Sequence, residues 1–216
     1  MNLPNSITLA RILSVPLFLW ILTGSQFSTP HGRQELLAAI IFAIASATDG
    51  IDGVLARHLK QVTTLGTLLS PLADKLLVST AFITLVSFAP ELVPGWIAVL
   101  IVGREFLVTG LQSVALQEKL ALRVFGIGKL KTVVQTLSVA AVLMAHAWPR
   151  WHIGGSTLPG ATIATISIWL MLAVSLISAS AYFGAFWNEA VRQYELRHRR
   201  APLVVKRGGD QNVSTR

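Results

Sequence analysis

Cysteine is missing from the chain altogether, which excludes disulfide frameworks, thiolate metal sites and cysteine nucleophiles. Charge is scarce too. Only 13% of residues are Asp, Glu, Lys or Arg, where a soluble domain carries about a quarter. The acidic sign is the rarer one, 10 residues against 18 basic. No internal repeat is present, which argues against an inverted-repeat transporter. The N-terminus has no basic stretch followed by a small-residue cleavage pattern, so the first apolar run reads as a retained span, not a signal peptide.

What fills the chain instead is apolar. Of its 216 residues 53% are hydrophobic, and the mean hydropathy is +0.62. One apolar run could belong to a soluble core, but six in one chain of this length could not. The expected architecture is all-α and polytopic, with six transmembrane helices near Leu9–Thr23, Leu36–Val54, Pro71–Ala89, Val93–Val114, Thr132–Trp148 and Ala161–Trp187. The net charge of +8 is not spread like a nucleic-acid-binding face. It sits around Arg57–Lys60, around Lys119–Lys131 and in the tail with Arg192, Arg197, Arg199, Arg200, Lys206 and Arg207, whereas the opposite connections carry Arg33 and Arg150. By the positive-inside rule both termini are expected in the cytoplasm, with Trp96, Trp148 and Trp151 as anchors at the outer interface. Residues 1–190 read as a membrane domain. Residues 191–216 read as a basic cytoplasmic tail, disordered towards its end.

Ionisable residues enter these spans too early to be end caps. Asp49, Arg104, Asp74 and Arg11 lie about 11–15 residues inward from the outer ends of their spans, a depth of about 16–23 Å by helical rise. Snorkelling would put charges at span ends. Charge facing lipid at this depth costs several kcal/mol, so the four groups are expected to face a shared polar cavity open to the cytoplasm.

The densest stretch reads Thr48-Asp49-Gly50-Ile51-Asp52-Gly53-Val54-Leu55-Ala56-Arg57, followed by Gly66-Thr67-Leu68-Leu69-Ser70-Pro71-Leu72-Ala73-Asp74-Lys75. Asp49 and Asp52 are three apart and share a helix face. Asp74 opens the next span from the same side. Carboxylates converging beside Arg and Lys in a dry setting suit divalent cations and phosphates, magnesium or manganese among the metals. Gly53 and Gly66 leave room for a ligand or a close helix.

At these residues the chain resembles the CDP-alcohol phosphotransferase family, whose signature is D-x2-D-G-x2-A-R followed by G-x3-D-x3-D. Asp49, Asp52, Gly53, Ala56, Arg57, Gly66 and Asp74 match it, with eight residues between Arg57 and Gly66. Leu3-Pro4-Asn5, Thr8, Arg11 and Pro16, then Gly103-Arg104-Glu105, then Gly128-Lys129-Leu130-Lys131-Thr132 with Gln135, look like motifs of the phosphatidylglycerophosphate synthase branch. The resemblance implies a six-helix enzyme of the cell (inner) membrane, commonly a homodimer, with its site on the cytoplasmic side. It implies transfer of the phosphatidyl group from CDP-diacylglycerol to glycerol 3-phosphate with release of CMP, using two magnesium or manganese ions. By the same resemblance Asp49, Asp52 and Asp74 hold metal, and Asp74 is also the base that takes the hydroxyl proton. Gly53, Ala56, Arg57 and Gly66 line the CDP-lipid, and Arg104, Lys129 and Lys131 hold the acceptor's phosphate.

Two positions depart from the pattern. Ser70 stands where the signature has a metal-ligating Asp, and Ser before Pro71 also reads as an ordinary helix start, N-cap followed by first helical residue. Gln112 stands where related synthases carry Arg. These departures leave two alternatives open: a family member using another acceptor alcohol, or a weakened or non-catalytic homologue. Among the remaining polar residues, Glu105 is expected to orient Arg104. His31, His58, His146, His152 and His198 show no ligand spacing and read as interfacial or solvated. Glu91, Glu118, Glu189 and Glu195 read as solvated.

Overall fold

A computed structural model describes residues 3–24, 32–48, 58, 64–118, 120, 127–153 and 156–199. Among these, six helices follow one another: α1 (Leu3–Thr23), α2 (Arg33–Ala47), α3 (Thr64–Phe88), α4 (Gly95–Gln117), α5 (Ile127–Ala147) and α6 (Gly160–Arg199). A two-stranded antiparallel hairpin, β1 (Arg150–Ile153) and β2 (Ser156–Pro159), joins α5 to α6 with Ile153 opposite Ser156. The sequence reading contained no strand. The signal for this one is Gly154-Gly155 between two short runs, a two-residue hairpin pattern.

Five helices are long and apolar enough to cross a membrane, because each offers about 20 residues of low charge. The described part of α2 covers the first portion of the expected second span, and the rest of that span lies outside the described residues. The surface confirms where the helices live. Val99, Leu107, Leu116, Ile83 and Ile166 are each 61–79% exposed, a burden of apolar area that water does not tolerate but lipid does. This is a multi-pass membrane protein.

The interior is apolar as well. Phe18, Phe42, Leu77, Phe82, Leu85, Ile101, Leu143, Ile168 and Met171 are fully buried, and Phe18 meets Phe42 with ring centroids 5.9 Å apart. α1 packs on α2 and α3, α2 on α5, α3 on α4, and α6 on both α4 and α5. The bundle is closed at one end by small contacts. Gly32 precedes α2 with φ at +67°, where a Cβ would fall 2.6 Å from that of Ala147, so a residue without a side chain is required there. At the same end Trp96 meets Trp169 edge-on at 5.7 Å, and Trp151 donates from Nε1 to the carbonyl of Trp148 at 2.7 Å.

One expectation needs correction here. Ser70 and Pro71 do not start a helix, since α3 begins at Thr64 and carries Pro71 inside it. Proline removes one ladder hydrogen bond, but spanning helices absorb such a loss through neighbouring groups, as α1 does at Pro16. α6 runs on through Arg199, nine residues into the stretch read as a tail, with Arg192 pairing Glu189 at 3.1 Å one turn away. Residues 200–216 lie outside the described residues.

Candidate active site

From the Trp-rich end, Arg104 lies nine residues into α4, Asp74 fourteen from the end of α3 and Lys131 sixteen from the end of α5. These spacings are about 14, 21 and 24 Å of helix. Antiparallel packing thus delivers polar side chains from separate helices to one level.

What meets there is a charge cluster centred on Glu105, which is 2% exposed. Its Oε1 accepts from Arg104 Nη1 at 2.8 Å and pairs with the Lys131 ammonium. Its Oε2 lies 3.0 Å from Lys75 Nζ, and the same Nζ is 3.1 Å from Asp74 Oδ2. A chain of ion pairs therefore runs from Asp74 through Lys75 and Glu105 to Arg104 and Lys131. Each of these groups is substantially buried, where an unpaired charge would be prohibitive and a paired one requires its remaining protons to be met. For Arg104 that requirement is met by α6: Nε donates to the carbonyl of Ser175 at 3.0 Å and Nη2 to Ser178 Oγ at 2.9 Å.

A second buried cation lies on α1. Arg11 of α1 is 1% exposed. It donates from Nε to the carbonyl of Ala45 at 3.2 Å and from Nη2 to Thr48 Oγ1 at 3.4 Å. Both acceptors lie in the turn leading directly to Asp49, so Arg11 ties α1 to the start of the motif.

The structure brings Asp74, Arg104 and Lys131 together in this network. Lys129 falls in the first turn of α5. Ser70 precedes Asp74 by one turn on α3, hence on the same face, and Gly66 is one turn earlier again. Asp49, Asp52, Gly53, Ala56 and Arg57 lie outside the described residues. Gln112 is exposed on α4. Among the described residues no three His, Asp or Glu side chains form a metal cluster. The described residues bring two oxygen-bearing side chains, Asp74 and Ser70, to one face of α3, the donor type that magnesium and manganese take, though fewer than the roughly six ligands such an ion needs.

Three participants were not singled out by the sequence reading. Lys75 was visible only as the neighbour of Asp74. Ser175 and Ser178 looked like ordinary span composition, and their signal was a spacing of three in an apolar run, which puts both on one helix face. Glu105 orients Arg104 as expected, but it gathers two lysines as well. His146, read as interfacial or solvated, is also engaged: its Nδ1 is 3.1 Å from Glu35 Oε1, and its ring lies 4.2 Å from that of Phe88.

Known proteins share this arrangement of sequence. The CDP-alcohol phosphatidyltransferase family profile matches residues 1–179. A CDP-diacylglycerol–glycerol-3-phosphate 3-phosphatidyltransferase of Bacillus subtilis (strain 168) is 39% identical over 197 residues, 87% of this chain and 96% of that protein. Proteins of the same name from Rickettsia bellii (strain RML369-C) and Wigglesworthia glossinidia brevipalpis are 32% and 29% identical, covering 85% and 89% of this chain and 94% and 98% of their own lengths. With the signature residues, the helical membrane bundle and this match over most of its length, the chain belongs to the CDP-alcohol phosphatidyltransferase family.

Proposed function

We propose that this chain transfers the phosphatidyl group of CDP-diacylglycerol to glycerol 3-phosphate and releases CMP, as the names of its relatives describe for them. The observation that carries the reading is the gathering of Lys75, Arg104 and Lys131 beside Asp74. Among the described residues three cations face two carboxylates there, and buried positive charge in excess of its counter-ions calls for an anionic partner. A phosphate-bearing acceptor supplies one.

In this reading the acceptor's hydroxyl oxygen attacks the β-phosphorus of CDP-diacylglycerol. The new P–O bond forms as the pyrophosphate P–O bond breaks, CMP leaves with the bond's electron pair, and Asp74 takes the hydroxyl proton. Arg104, Lys129 and Lys131 hold the acceptor's phosphate. Gly53, Ala56, Arg57 and Gly66 lie along the CDP moiety. Asp49, Asp52 and Asp74, with Ser70 at the fourth position of the motif, would hold two magnesium or manganese ions, which when bound neutralise charge at the pyrophosphate. Arg11 keeps the turn before Asp49 in place. The site faces the cytoplasm, as do both termini, in a homodimer of the cell membrane; the distribution of Lys and Arg among the loops supports that orientation.

The test is CMP release by purified protein given CDP-diacylglycerol, magnesium or manganese, and a panel of alcohols. Turnover with glycerol 3-phosphate well above that with inositol phosphate, serine or phosphatidylglycerol is the expected result. Preference for another alcohol would reassign the acceptor, and no turnover with any would make the chain a non-catalytic member.

A further inference from the structure

Glu105 is a single carboxylate doing the work of a larger anion. It receives one cation from each of three helices: Lys75 from α3, Arg104 from its own helix α4, and Lys131 from α5. Oε1 alone carries two of them. Lys75 divides itself between Glu105 and Asp74, at 3.0 and 3.1 Å. Among the described residues the cluster therefore holds three cations against two carboxylates, with every cation pointed at Glu105. A phosphate monoester carries about −1.5 to −2 near neutral pH and three strong acceptor oxygens, which matches three converging cations better than a carboxylate does.

The same region holds polar atoms with no hydrogen-bond partner among the described residues: Ser79 Oγ, Gln135 Oε1 and Ser175 Oγ. Ser79 is one turn beyond Lys75 on α3, Gln135 one turn beyond Lys131 on α5, and Ser175 adjoins the carbonyl of its own residue that holds Arg104. Buried polar groups are nearly always satisfied. Unmet ones on three helices next to a cationic cradle suit a ligand that brings hydroxyls together with its phosphate.

We infer that Glu105 is an internal counter-ion that stands in for the acceptor's phosphate, holding Lys75, Arg104 and Lys131 gathered until the acceptor arrives, and that Lys75 is a member of the acceptor-phosphate cradle. This rests on the acceptor reading proposed above and deepens it. Substrate phosphate and Glu105 compete for the same cations. Removing the internal anion makes the cradle more receptive to any external one, whereas loss of a merely structural carboxylate loosens it for all.

Isothermal titration of orthophosphate and of glycerol 3-phosphate into the metal-free, detergent-solubilised protein reads this directly. Glu105→Gln is expected to bind orthophosphate about tenfold tighter than the parent, one charge-assisted contact's worth. Lys75→Met is expected to bind both ligands about tenfold more weakly and, in the loaded enzyme, to raise the KM for glycerol 3-phosphate more than that for CDP-diacylglycerol. Folded Glu105→Gln with orthophosphate affinity at or below the parent's overturns the counter-ion role. If that variant does not fold, Lys75→Met decides, and parent-like affinities there overturn the inference. Lys131→Met separates the two layers of the argument. Parent-like affinity for glycerol 3-phosphate in Lys131→Met sinks the acceptor reading itself, whereas a loss there beside an unmoved Lys75→Met sinks the present inference alone.

Discussion

Arg11 on α1 donates to the carbonyl of Ala45 on α2, 3.2 Å away, and its guanidinium extends to Thr48, the last residue before Asp49. An arginine buried to 1% exposure in this way is a tether between two helices, and the tether ends at Thr48. Arg11→Met is expected to lower stability by about 1.5–3 kcal/mol, the usual worth of hydrogen bonds from a charged donor. Turnover should fall further than the stability loss accounts for, since Thr48, the residue before Asp49, loses its hold. Thermal unfolding in detergent and CMP release at a temperature where both proteins are folded separate the two effects.

Arg104 makes contacts in three directions that only a planar guanidinium can make together, to Glu105, to the Ser175 carbonyl and to Ser178 Oγ. Arg104→Lys cannot reproduce the fork. Its kcat/KM for glycerol 3-phosphate should drop by about tenfold or more. Ser178→Ala removes one acceptor and leaves the fork otherwise seated, so a smaller loss in the same parameter is expected. If Arg104→Lys matched the parent, a point charge at this position would be sufficient.

Ser70 lies inside α3, one turn before Asp74, so its role cannot be to start that helix. Ser70→Asp adds a carboxylate on the face that carries Asp74. The magnesium midpoint for turnover should fall by about tenfold or more, given the strength of charge pairs at low effective dielectric. The measurement is a metal titration of CMP release by both proteins. An unchanged midpoint and rate would assign position 70 to helix packing only. Turnover by the variant and none by the parent would identify the parent as a disabled member of its family.

At the opposite end, His146 is the one hydrogen-bonded partner, among the described residues, of a buried carboxylate. Glu35 is 8% exposed, its Oε1 meets His146, and its Oε2 is without a partner among the described residues. His146→Ala should cost about 1–3 kcal/mol by leaving the carboxylate unmet, seen as a lowered unfolding temperature. KM values for both substrates should stay at parent levels, because the pair sits at the far end of the bundle.

The spans were readable because length and lack of charge leave few alternatives, and the common depth of Asp74 and Arg104 followed from counting residues. Partner choice was not readable. Lys75, Glu105 and Lys131 are separated by 30 and then 26 residues, and nothing local says that they converge. The same holds for Glu35 and His146, 111 residues apart. Ser70-Pro71 misled because local preference favours a helix start there, while tertiary packing carries α3 through the proline. The hairpin was short enough to pass for a loop.

α6 is 40 residues long, about 60 Å of helix, twice the thickness of a bilayer core of about 30 Å. Ser178, which receives Arg104, sits near its middle, and about 30 Å of unbroken rod continues beyond. That makes the helix a lever. A torque applied to its C-terminal half would be transmitted along the backbone to the two serines, and through them to the orientation of Arg104. A rigid protein fused close behind Arg199 would load the lever, whereas the same protein on a supple Gly-Ser tether would leave it at rest.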